Sequence, residues 1–157
     1  MKRRTFIRTT GLGTATVCTC GLVVDSCTMI SGISHTPVAP EESIQLSEYE
    51  VTLDLKLIPE LNKSGGSVKF EITQYEEEPL KILVINSGED GLMAYANRCT
   101  HGGREIEYRA EDGILQCVSF GHSKYDLNGQ VKGGPAPAPL KKFKMNQIDN
   151  KLIINLV

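Results

Sequence analysis

The sequence predicts an all-β domain, on three observations. Apolar and polar residues alternate with a period of two from Val51 onward, the spacing that turns one face of a strand toward a core. Turn-forming residues interrupt that alternation at short intervals, at Lys63-Ser64-Gly65-Gly66, Asn86 to Gly91, Asp112-Gly113, Asn128-Gly129 and Asp149-Asn150. No segment carries an apolar stripe at helical spacing. Short strands divided in this way suggest a sandwich or a barrel.

Residues 1–27 read as an export signal. Lys2-Arg3-Arg4-Thr5-Phe6-Ile7-Arg8 looks like a twin-arginine targeting motif, followed by a weakly apolar run from Gly11 to Val24. That run is short and polar for a membrane span. A generic basic N-terminus is the alternative. Val24-Asp25-Ser26-Cys27 resembles a bacterial lipobox, which makes Cys27 a candidate for lipidation. An uncleaved signal serving as anchor is the competing possibility. Both place the protein in the periplasm or cell envelope, tethered to a membrane.

Residues 28–42 read as a linker, with Pro37, Pro40 and little periodicity. His35 lies within it and is expected to be solvated rather than a ligand. The domain is expected over residues 43–157. Val51 to Leu57 and Ser67 to Ile72 alternate as half-buried strands, while Leu80 to Ile85 is a more continuous apolar strand. Leu92 to Ala96 leads straight into Cys99. Further strands are expected at Ile114 to Gln116, Lys141 to Met145 and Lys151 to Leu156. No internal repeat stands out.

Hydrophobic residues make up 40% of the 157 and charged residues 23%, which supports one modest core behind a leader. Without residues 1–26, which hold four basic residues and one acidic one, 13 basic residues face 18 acidic, a balance of −5. That argues against nucleic acid, whose phosphates require a basic surface. Of the five cysteines only Cys99 and Cys117 belong to the globular part, so a disulfide-dense scaffold is excluded.

The residues suited to chemistry lie between Cys99 and Leu140. Cys99-Thr100-His101-Gly102-Gly103 offers one thiol and one imidazole, and so does Cys117-Val118-Ser119-Phe120-Gly121-His122-Ser123-Lys124-Tyr125-Asp126. A proline-rich run, Gly133 to Leu140, follows. Fifteen residues separate His101 from Cys117, enough for a hairpin that returns the second loop beside the first. Two Cys and two His shared between two loops are the ligand set of a Rieske [2Fe–2S] centre, and from about Val51 to its end the chain resembles the Rieske family.

The resemblance implies a Rieske-type antiparallel β-sandwich or barrel. A small cluster-binding subdomain would carry two ligand loops and a proline loop. It implies one [2Fe–2S] cluster, with Cys99 and Cys117 on the buried iron and His101 and His122 on the exposed one. Gly103 matches the glycine after the first histidine. Ser123 and Tyr125 match hydroxyl residues that hydrogen-bond cluster sulfurs and raise the potential, with ordinary loop polarity as the alternative. Gly134, Pro135, Ala136 and Pro137 match the proline loop that covers the cluster. Neutral imidazoles lower the negative charge, which sets a window of roughly −150 to +300 mV. The implied function is one-electron transfer, with no catalytic residue of its own. The chain would be a free carrier or the small subunit of an oxidoreductase, such as a quinol-oxidising or arsenite-oxidase-like complex. The implied partner is that complex or another redox protein.

The second loop departs from the pattern, because four residues rather than two separate Cys117 from His122, and Phe120 stands where the usual spacing puts the histidine. Gly121 is expected to let the backbone bulge so that His122 reaches the iron. The cysteine pair that joins the loops of high-potential members is missing; Arg104 and Ser119 stand in its places. An intermediate potential is therefore expected, and a titration at the top of the family range would contradict it. Two other chemistries compete. Zinc usually takes a Cys-x2–4-Cys knuckle, and Cys99-Thr100-His101 has too tight a bite. A Cys99–Cys117 disulfide in a clusterless structural or binding lipoprotein stays open. An oxygenase would need a catalytic domain, and only 17 residues follow Leu140.

Overall fold

The computed structural model describes residues 32–73 and 78–157. The export signal and Cys27 lie outside the described residues. Eleven strands are present among them: β1 (Ile44–Leu46), β2 (Glu50–Asp54), β3 (Ser67–Ile72), β4 (Leu80–Asn86), β5 (Leu92–Ala96), β6 (Ile106–Arg109), β7 (Ile114–Cys117), β8 (Lys124–Tyr125), β9 (Val131–Gly133), β10 (Lys142–Ile148) and β11 (Lys151–Asn155). They form two antiparallel sheets, one in the order β1-β2-β11-β10-β5-β4-β3 and a smaller one in the order β6-β7-β8-β9. The only helical turns described are short 3₁₀ segments, so the fold is all-β, as the alternation predicts.

The large sheet curls. β10 pairs through Lys142 and Phe143 with β5, then through Lys144 to Ile148 with β11. That change of partner lets residues from opposite ends of the strand order, Val51, Leu53 and Ile154 with Val68, Phe70 and Val84, share one core. β4 is the wall common to two cores. Side chains alternate across a strand, so Ile82 and Val84 enter the first core while Leu83 and Ile85 enter a second. Burial on both faces explains why this strand reads as a continuous apolar run rather than an alternating one. Leu83, Ile85, Met93 and Tyr95 meet Ile106, Leu115 and Tyr125 of the small sheet in that second core, together with Cys99 and Cys117.

Polar contacts reinforce the junction. The Tyr95 hydroxyl donates to the Leu127 carbonyl at 2.6 Å. Glu105, just before β6, receives Lys69 of β3 at 2.7 Å and Lys81 of β4 at 3.4 Å. Burial raises the Glu105 carboxyl, but the two ammonium groups outweigh it and hold it below its ordinary value. A depressed folded pKa stabilises above the ordinary value, and the contribution is lost as pH falls through the folded one. Glu105→Gln is therefore expected to be less stable than wild type at pH 7, with the gap closing below about pH 4. Denaturant melts at the two pH values measure it.

Part of the predicted linker is docked. The Pro37 carbonyl accepts from Lys69 N at 2.8 Å, and Ala39 N donates to the Lys69 carbonyl at 2.9 Å, with Ala39 buried. Proline has no N–H to give a ladder, which suits this edge position. His35 is exposed, as expected, although its backbone N–H reaches the buried Glu107 carboxylate. The expected strand Val51 to Leu57 stops earlier. Residues Leu55–Leu57 form a 3₁₀ turn, capped by the Asp54 side chain, which accepts from Lys56 N at 3.0 Å.

Candidate metal centre

The β6–β7 hairpin brings the two loops together. Ile106 pairs with Cys117, so the first loop enters the hairpin where the second leaves it. Val118 N donates to the Glu105 carbonyl at 3.1 Å and joins them directly. The first loop is a tight turn in which Gly103 N donates to the Cys99 carbonyl at 2.8 Å and Cys99 N to the Arg104 carbonyl at 2.7 Å. Gly103 holds φ at +70°, a conformation that glycine adopts without steric cost.

The proline loop closes over both. A Cβ on Gly134, whose φ is +85°, would lie 2.7 Å from Ser123 Cα, and one on Gly121 would lie 3.1 Å from Pro135 Cγ. On the other side, Thr100 Oγ1 donates to the Ala138 carbonyl at 2.7 Å. The run from Gly133 to Leu140 thus clamps the second loop by close packing and the first by a hydrogen bond.

Cys99 and Cys117 are 2% and 1% exposed, both are free thiols, and both lie in the second core. The Tyr125 hydroxyl lies 3.3 Å from Cys99 Sγ, and Thr100 Oγ1 lies 3.1 Å from the same hydroxyl. Burial pushes the Cys99 thiol up, but hydrogen bonds from Tyr125, the His101 backbone, Cys117 and Ser123 outweigh it and leave it below its ordinary value. Cys117 is raised, first by burial; Ser119 works against that, while the neighbouring Cys99 adds to it. Neighbouring thiols oppose each other's ionisation, and a metal ion bound to both would hold them as thiolates.

Ser123 supplies a second sign. Its hydroxyl is fully buried with no hydrogen-bond partner of good geometry, although it lies close enough to Cys99 to favour the thiolate. An orphaned buried hydroxyl costs about 1–3 kcal/mol, and an acceptor sulfur inserted beside it would offset that cost. The residues present fit a sulfide-containing cluster.

The two imidazoles stand differently. His101 and His122 are exposed at the same end of the small sheet. Among the described residues no three Cys, His, Asp or Glu side chains converge on one point. A two-iron cluster needs only pairs, sulfur on one iron and nitrogen on the other, and the sulfur pair is in place. His122 Nδ1 lies 3.1 Å from Gln116 Nε2. The bulge expected at Gly121 takes another form: His122 itself is left-handed, with φ +43°, and Gly121 is instead where Pro135 comes close. Phe120, at the spacing usual for the histidine, is 88% exposed.

Ser119, Thr100 and Gln116 also contact these residues and carry no sequence motif of their own; Ser119 is legible only as a missing cysteine. Ser119 Oγ is 3.1 Å from Cys117 Sγ. A hydroxyl two residues beyond a cysteine can turn back to it locally, and that spacing was the available signal. Gln116 shares a face with His122 only because β7 pairs with β8, which spacing alone does not reveal.

Comparison with known proteins finds similar chains of one family. The chain is 28% identical over 109 residues to the cytochrome b6-f complex iron-sulfur subunit of Chlorobaculum tepidum, covering 69% of this chain and 57% of that one. It is 34% identical over 87 residues to the corresponding subunit of Chlorobaculum thiosulfatiphilum, covering 55% and 46%. The chain thus spans about half the length of these curated relatives. Among solved structures, the plasma membrane Rieske protein PetC3 from Synechocystis PCC 6803 superimposes with a TM-score of 0.46 at 20% identity, covering 57% of this chain and 85% of that one. The family model for the Rieske [2Fe–2S] domain matches residues 58–144, more than half of the chain. With a buried thiol pair, an orphaned hydroxyl and a covering proline loop already in place, the chain belongs to the Rieske [2Fe–2S] domain family, whose cofactor is one [2Fe–2S] cluster.

Proposed function

We propose that this protein carries single electrons for a redox partner. The observation that supports this best is the pair of adjacent, buried, unbridged thiols beneath two exposed imidazoles. When bound, the cluster supplies reversible one-electron storage. Cys99 and Cys117 would hold it from the core side, His101 and His122 from the solvent side. Tyr125 donates to the Cys99 sulfur, and Ser123 offers its unpaired proton to whatever sulfur lies beside it. The proline loop keeps water away from the sulfurs.

The partner in this reading is a redox protein or a quinol-oxidising complex, in keeping with relatives named as cytochrome b6-f complex iron-sulfur subunits. The proposed setting is the cell envelope, reached by the twin-arginine route and held at a membrane by the leader or by lipid on Cys27. Reduction of the purified protein by a quinol in the presence of membranes, with co-purification of a larger subunit, tests the subunit role; a protein reduced only by a soluble donor is a free carrier. A Cys99–Cys117 disulfide is the second reading, favoured by two free thiols buried in the same core.

Ser123→Ala probes the tuning. It is expected to keep the cluster and lower the midpoint potential by about 60 mV, a tenfold shift in the reduction equilibrium, measured by redox titration.

A further inference from the structure

We infer that Ser119 is a positioning residue that donates a hydrogen bond to the Cys117 sulfur and so tunes the cluster from the side opposite Tyr125. The inference rests on the one-electron reading above and deepens it. Its basis is geometric. Ser119 Oγ lies 3.1 Å from Cys117 Sγ in a half-buried setting. The loop fixes it there: Cys117 N donates to the Ser123 carbonyl at 2.8 Å, and His122 N donates to the Ser119 carbonyl at 3.0 Å.

With Cys117 a free thiol, the sulfur gives the proton to Ser119. Once Cys117 is a thiolate ligand it has no proton, and the same contact survives only if the serine hydroxyl donates. The contact would therefore reverse its direction once a metal is bound.

Three hydroxyls are then distributed over the sulfurs. Tyr125 serves Cys99 at 3.3 Å, Ser119 serves Cys117 at 3.1 Å, and Ser123 is left for a sulfur that is not part of the chain. One electron added to a bound cluster would place negative charge on the sulfurs. A donor to any of them stabilises the reduced form more than the oxidised form. Ser119 stands where a disulfide-bearing relative would have its second-loop cysteine, so this chain replaces a covalent tie with a tuning hydrogen bond.

The experiment compares wild-type protein with Ser119→Ala and Ser119→Thr, each assayed for iron and labile sulfide. Redox titration and resonance Raman spectra in H2O and D2O follow. Ser119→Ala is expected to keep its cluster and shift the reduction equilibrium about tenfold toward the oxidised form, about 59 mV; Ser119→Thr should stay near wild type. The Fe–Sγ stretches of wild type should move on deuteration, and that movement should shrink in Ser119→Ala only. An unchanged potential in Ser119→Ala, or cluster loss in both variants, overturns the inference and leaves Ser119 a packing residue. Absence of iron from wild type overturns the electron-carrier reading itself, a separate result.

Discussion

Cys99→Ser and Cys117→Ser are each expected to take the protein from two irons per chain to none while leaving the β-fold standing. The two thiols lie side by side in the second core at 2% and 1% exposure. A serine hydroxyl has nearly the same shape, so packing survives, but it does not ionise near neutral pH and is a poor ligand for iron beside sulfide. Neither substitution should strand a buried polar group. In Cys99→Ser the new hydroxyl keeps that of Tyr125 as a partner, and in Cys117→Ser it keeps that of Ser119. Each is therefore expected to cost only about 1 kcal/mol in the clusterless protein. Iron analysis with far-ultraviolet circular dichroism and denaturant melts checks both halves. A variant that retains the brown colour and its iron contradicts the assignment of that sulfur.

His122→Asn is expected to lose the cluster as completely, and it is the sharper probe because the second loop departs from the usual spacing. His122 holds φ at +43°, a left-handed conformation costing non-glycine residues about 1–3 kcal/mol and kept only where the surroundings enforce it. Asparagine tolerates that backbone well, so loss of iron would be due to the missing imidazole rather than to a collapsed loop. The clusterless variant should melt within about 0.5 kcal/mol of the clusterless wild type. Iron retained at the wild-type level in His122→Asn would mean that another group completes the site.

Much of this was legible in the residues. β3 falls where the alternation puts it, because Val68, Phe70 and Ile72 lie on one core. β5, in contrast, is buried on both faces and reads as an apolar run. β4 was visible as a strand, but its continuous apolar run did not disclose that it divides two cores; that depends on the small sheet packing across Leu83 and Ile85. β1, β8 and β9 span two or three residues each, too few for periodicity to register, and exist because neighbouring backbone offers partners. β6 carries Ile106 and Tyr108 in alternation, yet Glu107 is buried against the docked N-terminal segment, which blurs the pattern. The segment Thr36–Pro40 looked like linker because Gly, Pro, Ser and Glu with little periodicity surround it. Its docking is backbone pairing with Lys69, invisible to side-chain composition.

At the site, the thiols, the imidazoles and the proline loop were legible as residue types. Their roles were not equally so. Cys99 and Cys117 meet because the β6–β7 hairpin must close; His122 lies beside Gln116 because β7 and β8 pair in a register that no motif encodes. Ser119 was legible only as something absent.

Visible absorption and low-temperature EPR of the purified protein, with iron and acid-labile sulfide counted per chain, go to the heart of the matter. A brown protein with two irons and two sulfides, EPR-silent when oxidised and giving one unpaired spin after dithionite, is the result expected. A colourless protein without iron, whose Cys99 and Cys117 are found joined in a disulfide, would contradict it.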